Sequence, residues 1–371
     1  MIYLDNAATS FPKPPEVVRA VSGVLSKIGG NPGRSGHPGA LAGGRILNRA
    51  REEAAKFIGA AEPESVIFCL NCTDALNMAI KGSLREGDEV LVSPFEHNAV
   101  MRPLARFERA GQIKIKVMLP DENGLLNENS VRNAISPRTA LCVLCHASNV
   151  SGIIQPAALI AGACHESGIP LLLDAAQTAG AEDLAETNAD MIAMPGHKGL
   201  LGPMGTGLLC VGAMRPRPLR EGGTGSQSDS LSQPSILPDR YESGTVNLPG
   251  VAGLMQGIRF LSPVRQEVRQ YERFLISRLT DGLLNISGLS LVGALDAPRA
   301  GLVSFNLEGR DSGEIADALA ARGFALRGGL HCAPSAHAFF GTQGAVRASV
   351  GPFTSEKDID ALLYALNGLA R

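Results

Sequence analysis

Short, almost unbroken hydrophobic runs alternate with longer segments of helical periodicity through much of the chain. The runs at 65–70, 89–93, 113–119, 140–145 and 170–173 are too short for helices and rich in Val, Ile and Leu, so they predict strands. Several are apolar at nearly every position rather than at every second one. A parallel sheet covered by helices on both faces requires that pattern, and the intervening helical segments would supply the covers. The expected fold class is therefore α/β. Residues 220–238 interrupt the rhythm with Gly, Ser and Pro and predict a long functional or interface loop. Beyond it, 248–284 reads as predominantly helical, followed by strands near 302–307 and 345–350 and a terminal helix from about Ser355. A smaller C-terminal lobe is expected there, with the N-terminal arm returning to it. The implied division is a large domain over 15–250 and a small domain made of 1–14 and 251–371.

Composition supports two lobes and narrows the function. The chain has 371 residues, beyond the ~250–300 at which one hydrophobic core stops growing. A hydrophobic content of 44% with 19% charged residues excludes a disordered chain. Lys and Arg total 34 against 36 Asp and Glu, without a dense basic run, so no nucleic-acid partner is expected. No apolar stretch reaches the ~18–20 residues of a membrane span, and residues 1–14 lack a basic-then-apolar signal, so the expected location is cytoplasmic with no membrane partner. Seven cysteines are too sparse for a disulfide scaffold and predict reduced thiols. Trp is absent while Gly reaches 43, which favours close backbone approach over aromatic platforms.

The candidate chemistry gathers at predicted strand ends, where open α/β sheets collect their ligands. Asp174 follows the apolar Leu171-Leu-Leu run; by itself it reads equally as a helix cap. After the next apolar run, which ends at Met194, comes Gly196-His197-Lys198-Gly199, a lysine between glycines. A lysine can bond an aldehyde cofactor, and a buried Asp can keep a pyridine nitrogen protonated, so the pair suggests pyridoxal phosphate. Asn71-Cys72-Thr73-Asp74 would offer a hydroxyl and backbone donors to the phosphate at a strand-to-helix turn. His97, in Glu96-His97-Asn98, follows the strand ending near Ser93; a lone His there is as readily structural as catalytic. Cys332 precedes a Pro suited to a first helical turn and lies near His331 and Arg327, a setting that lowers a thiol pKa. Arg347 interrupts an apolar strand and would grip a substrate carboxylate or take part in a structural ion pair.

Taken in order, these segments resemble the cysteine desulfurase and selenocysteine lyase family, the class V aminotransferase branch of fold-type I pyridoxal phosphate enzymes. The resemblance runs from Tyr3-Leu-Asp-Asn-Ala-Ala8 through Asn71-Cys-Thr-Asp74, Glu96-His-Asn98, Ser148-Asn-Val-Ser-Gly152, Asp174-Ala-Ala-Gln177, Gly196-His-Lys198 and Glu242-Ser-Gly-Thr-Val-Asn247 to His331-Cys332 and Arg347. The short Arg-Gly-Gly-Leu-His-Cys segment is similar to the branch with a compact, ordered cysteine loop. The family implies a large, mainly parallel-sheet α/β domain with a smaller α+β C-terminal domain, and a homodimer. It also implies that Lys198 bonds the cofactor and moves protons, Asp174 pairs with the pyridine nitrogen, His97 stacks on the ring and Gln177 contacts the ring hydroxyl. Cys72, through its backbone, with Thr73 and His197 would hold the phosphate, and Thr245 would reach the neighbouring subunit's phosphate. Asn149 and Arg347 would hold the substrate carboxylate. Cys332 would take sulfur from L-cysteine as a persulfide, leaving L-alanine, for delivery to an acceptor protein. Supply of selenium from selenocysteine by the same machinery is the alternative, and a non-catalytic sulfur-trafficking scaffold would not need this residue set. Arg34 and His37 resemble an element near the site mouth without an assigned role. One departure is Pro195, where many relatives carry a hydroxyl residue; one phosphate hydrogen bond would be missing or replaced by water.

Two Cys-x-x-Cys spacings, Cys69 with Cys72 and Cys142 with Cys145, invite a zinc or redox reading. In a strand, residues i and i+3 point to opposite faces and would not converge on an ion, so buried apolar thiols are the expectation and no metal site is anticipated. Gly222-Gly-Thr-Gly-Ser226 is not framed by a strand and a helix and has no following lysine, unlike a nucleotide loop.

Overall fold

The computed structural model describes residues 1–33 and 35–370. A two-residue strand, β1 (Ile2–Tyr3), and helices α1 (Pro15–Lys27) and α2 (Pro38–Ile58) precede a seven-stranded sheet. Its strands are β2 (Val66–Cys69), β3 (Glu89–Val92), β4 (Lys114–Val117), β5 (Thr139–Cys145), β6 (Leu171–Asp174), β7 (Met191–Pro195) and β8 (Gly207–Val211). They lie in the order β2-β8-β7-β6-β5-β3-β4, parallel except for β8, which is antiparallel to both neighbours. The helices between them are α3 (Cys72–Ser83), α4 (Asn98–Arg109), α5 (Glu128–Arg132) and α6 (Ala157–His165).

Alternate residues of these strands enter two different cores. Cys142, Leu144, Leu171, Leu173, Ile192 and Met194 pack on one face. Leu141, Val143, Leu172, Met191 and Ala193 pack on the other. Burial on both faces is the reason the strands read as continuous hydrophobic runs. The strand expected at 170–173 runs one residue further and includes Asp174. β8 was not anticipated; its partners lie about 140 and 15 residues back along the chain, and only that pairing distinguishes it from a buried apolar turn.

The irregular stretch from 212 to 247 ends at α7 (Leu248–Leu261), which is followed by α8 (Arg265–Leu284). The second lobe adds β9 (Leu289–Leu291), β10 (Leu302–Leu307), α9 (Ser312–Ala320), β11 (Phe324–Ala325), α10 (Pro334–Phe339), β12 (Val346–Ser349) and α11 (Glu356–Asn367). β10 is the centre of an antiparallel sheet with β12 and β9, and β1 pairs in parallel with β11, so the N-terminal arm does return to this lobe. Ser355 caps α11 in a capping box with Asp358. The apolar core changes over between Leu261, which packs with the large sheet, and Leu275, which packs under β10, downstream of the 250/251 division suggested by the sequence. Glu182 of the large lobe binds Arg269 and Arg273 of α8 at 2.9 and 3.0 Å and ties the two together. Among the described residues, no helix is long and apolar enough to cross a membrane.

Candidate active site

After β3 the chain turns outward through α4 to the edge strand β4, then returns on the other side of β3 as β5 and continues through β6 and β7. This reversal opens a crevice at the C-terminal ends of the parallel strands. A cavity of about 200 Å³ lies there, lined by residues that include Cys72, Thr73, His97, Asn149, Asp174, Gln177, His197 and Lys198. Eight of the ten residues singled out for cofactor or substrate carboxylate thus meet at one place.

Asp174, the last residue of β6, is buried, and its Oδ1 accepts the Ala176 amide at 3.0 Å and the Cys72 thiol at 3.6 Å. It therefore receives a cap-like hydrogen bond while keeping a second oxygen available. Lys198 follows β7; burial and the nearby Arg347 charge lower its pKa, against the opposing pull of Cys72 and Asp174. The backbone after Lys198 passes so close to Ala179 that a Cβ on Gly199 would stand 1.9 Å from the Ala179 carbonyl oxygen. Gly199→Ala should destabilise the fold by about 2 kcal/mol or more through overpacking, measured as the shift in urea midpoint. A midpoint equal to that of the wild type would show that this approach yields freely.

The end of the cavity that offers open amide donors is built by α3. Asn71 caps the helix by accepting the Asp74 amide at 2.9 Å, which leaves the Cys72 and Thr73 amides at the first turn without intrahelical partners. His197 adds a buried Nδ1 with no hydrogen-bond partner among the described residues, and burial together with Lys198 and Lys13 holds its pKa down to about 4. Pro195 lines the same cavity without a donor of its own. His97 caps α4, its Nδ1 accepting the Ala99 amide at 3.0 Å, and burial lowers its pKa despite Asp174. It is both a structural cap and a wall of the cavity, so the two sequence readings are not exclusive.

The neighbouring Glu96 was passed over in the sequence. Its Oε1 accepts from Ser93 Oγ at 2.6 Å and from the Cys145 amide at 2.7 Å, joining the ends of β3 and β5, and burial raises its pKa to about 8. Cys145 lines the cavity while Cys142 faces the opposite core, as the two-residue period of a strand dictates.

Arg347 reaches the site from β12. It is buried, donates to the Asn149 carbonyl at 3.1 Å and pairs with Asp5 at 3.2 Å, and its Nε has no partner among the described residues. The structural ion pair and an open donor thus coexist on one guanidinium. Asn149 donates to the His331 carbonyl at 2.6 Å and leaves its own Oδ1 unpartnered. His331 and Cys332 both adopt left-handed backbone, at φ +50° and +59°, a costly conformation for residues with a Cβ. The Cys332 carbonyl is held by the Asn98 amide at 2.8 Å, one residue beyond His97. Arg327 Nη2 lies 3.9 Å from Cys332 Sγ. The expected help from His331 is corrected: its Nε2 is bonded to the Ala345 carbonyl at 2.9 Å, and burial with Arg347 drives its pKa to about 3, so it brings no positive charge to the thiol. Pro334 does open a helix, α10, but Ala333 is its cap and Cys332 lies just outside it.

Thr245 is exposed, bonded to Asn31 at 3.3 Å and absent from its own chain's cavity. Its motif neighbour Glu242 is locked in a buried pair with Arg51 at 2.8 Å. His37 caps α2, its Nδ1 accepting the Ala40 amide, and Arg34 lies outside the described residues.

Comparison with known proteins gives concordant results. The family model for class-V aminotransferases matches residues 2–362. A probable cysteine desulfurase of Methanothermobacter thermautotrophicus is 32% identical over 383 residues, covering 100% of this chain and 94% of that protein. The apo structure of cysteine desulfurase from Thermococcus onnurineus is 30% identical with a TM-score of 0.93, covering 100% of this chain and 94% of the other. The Escherichia coli cysteine desulfurase CsdA superposes with a TM-score of 0.88 at 28% identity, covering 99% of this chain and 94% of the other.

Proposed function

The chain belongs to the class-V aminotransferase family, and from that premise we propose that it is a pyridoxal phosphate-dependent cysteine desulfurase that converts L-cysteine to L-alanine and a persulfide on Cys332. The observation that carries the reading is the meeting, in one cavity, of buried Asp174, pKa-lowered Lys198 and a set of open anion donors, with Arg347 and the Cys332 loop alongside.

The residues fit pyridoxal phosphate. The open Cys72 and Thr73 amides, the Thr73 hydroxyl and the unpartnered His197 Nδ1 would hold the phosphate, and Asp174 would hold the ring nitrogen. His97 would cover the ring and Gln177 would meet its hydroxyl. When bound, the cofactor supplies an electrophilic carbon and a ring that withdraws electrons. Lys198, with its lowered pKa, takes the substrate α-proton and returns a proton to carbon. Arg347 Nε and Asn149 Oδ1 have hydrogen-bonding capacity left for the substrate's carboxylate and amine side, which fixes its orientation. Cys332 attacks the substrate sulfur; an S–S bond forms as the substrate C–S bond breaks, and the persulfide is passed to an acceptor protein. The Arg327 guanidinium favours the attacking thiolate.

Alanine release from L-cysteine and from L-selenocysteine, measured with the same protein and added pyridoxal phosphate, tests the assignment. Turnover of cysteine with persulfide appearing on Cys332 is expected. Negligible cysteine turnover beside rapid selenocysteine turnover would make it a selenocysteine lyase instead.

The homodimer belongs to the same reading, supported by exposed Thr245 on a segment anchored by Glu242. Sedimentation is expected to give a dimer, and Thr245→Val should weaken cofactor retention more than it weakens folding. A monomer fully active at assay dilution would overturn the shared site.

A further inference from the structure

The backbone that carries Lys198 is held from outside its own strand. The His197 carbonyl accepts the Ser10 amide at 3.0 Å, the Thr9 hydroxyl at 3.1 Å and Lys13 Nζ at 2.8 Å. Ser10 Oγ lies 2.6 Å from Lys13 Nζ and 2.8 Å from the Lys198 carbonyl. An ammonium can only donate, so Ser10 accepts from Lys13 and directs its single proton at the Lys198 carbonyl, 2.8 Å away, and the His197 carbonyl, 3.1 Å away. Lys13 thus sets the direction of the hydrogen bonds on both peptide groups around Lys198.

The other end of the same short arm is fastened to the small lobe. Asp5 pairs with Arg347, and the Ala7 amide donates to Ser349 Oγ at 2.9 Å. Midway, Gln177 donates to the Ala7 carbonyl at 3.2 Å. Nine residues therefore connect the guanidinium expected to grip the substrate with the peptide groups that carry the proton-moving lysine. Pro12 and Pro14 flank Lys13 and restrict the backbone on both sides of it. A lysine at the entry to a helix would ordinarily extend into water. Here it is turned inward, and among the described residues no carboxylate lies within ion-pair distance. Burial lowers its pKa to about 8, the cost of that placement.

We propose that Lys13 is a positioning residue: it anchors the arm from Asp5 to Lys13 as a strap that fixes the Lys198 backbone relative to Arg347. The inference rests on the reading of Lys198 as the cofactor-bonding, proton-moving lysine. Neither Lys13 nor Ser10 needs to touch substrate for this role. Their effect is transmitted through two carbonyl oxygens, so it should appear in the chemical step and in cofactor capture rather than in substrate affinity.

The test compares wild type with Lys13→Met, Lys13→Arg, Ser10→Ala and Lys198→Ala, each prepared with pyridoxal phosphate. Cofactor affinity is read by titrating the apoprotein and by mass spectrometry after borohydride fixation, independently of turnover. Lys13→Met and Ser10→Ala should lower kcat by about 10- to 100-fold, the effect of slight misplacement of a reacting group. KM for cysteine should stay within about 2-fold, since substrate binding is unchanged. Both variants should also bind the cofactor more weakly, and Lys13→Arg should recover most of the loss because it retains the charge and the donors. Wild-type kcat and cofactor affinity in both Lys13→Met and Ser10→Ala would overturn the strap, as would a loss confined to KM. Should Lys13→Met fail to fold, Ser10→Ala decides by the same two readouts. Covalent cofactor persisting in Lys198→Ala would overturn the reading beneath the proposal, an outcome distinct from wild-type behaviour of the Lys13 and Ser10 variants.

Discussion

Lys198→Ala is expected to abolish covalent capture of pyridoxal phosphate and to reduce alanine formation by at least about 10²- to 10⁴-fold, the range that a positioned proton-transfer group contributes. The structural basis is its place just beyond β7, next to the β6 strand that ends in Asp174, within the same cavity. Burial and Arg347 lower its pKa, which makes a neutral, nucleophilic amine more accessible near neutral pH. The same burial means that the lysine charge is not favourable to the fold, so the apoprotein should melt no lower than wild type. Visible absorbance, borohydride fixation and peptide mass spectrometry check the first part; calorimetry of the apoprotein checks the second. Lys13 is another lysine whose pKa burial lowers, to about 8. Cofactor found on Lys13 after reduction of the wild type would show that the assignment had chosen the wrong amine.

Cys332→Ala should separate cofactor binding from sulfur transfer. Cys332 does not line the cofactor cavity, so the variant should keep the visible absorbance of the wild type. Its thiol is half-exposed, lies near Arg327 and sits on a loop held in left-handed backbone by the Asn98 and Asn149 hydrogen bonds. Breaking the C–S bond of cysteine by transfer needs an acceptor atom, and the other six cysteines are poorly suited: five are buried and the sixth, Cys210, has its thiol pKa raised by burial. Cysteine turnover should therefore fall by about 10²-fold or more, as expected when a covalent nucleophile is removed. A selenol ionises more readily and selenium leaves more easily, so selenocysteine turnover should retain an appreciable fraction of the wild-type rate. Alanine formation from the two substrates by wild type and variant is the comparison. Unchanged cysteine turnover in the variant would remove Cys332 from the mechanism.

The parts of the site legible in sequence are those that follow directly from strand ends. Asp174 and Lys198 could be found because an apolar run, a turn and a polar residue recur in the same order, and parallel strands deliver such residues to one edge. The strand-to-helix turn at Asn71-Cys72-Thr73-Asp74 was legible because a turn into a helix N-terminus is local chemistry. Glu96 left a weaker signal, a carboxylate just beyond the end of an apolar strand and beside a candidate histidine. Its joining of β3 to β5 depends on a return crossover that no local pattern records. Asp5 stood in the Tyr3–Ala8 motif without a role of its own, and Ser10 and Lys13 left no signal. They act on residues 342, 187 and 184 positions away, and an N-terminal arm carries no periodicity that names its target.

The sequence by itself determined the α/β class, most strands of the central sheet and the family, because these rest on hydrophobic period, turn chemistry and an ordered set of motifs, and it named the candidate site residues. Tertiary structure alone decided what those residues do to one another. It turned His331 toward the Ala345 carbonyl and away from a charged role, divided Arg347 between Asp5 and an open donor, and drew the N-terminal arm beneath Lys198. The physical reason is that side-chain direction, desolvation and charge pairing are set by neighbours distant in the chain, whereas period and capping are set within a few residues.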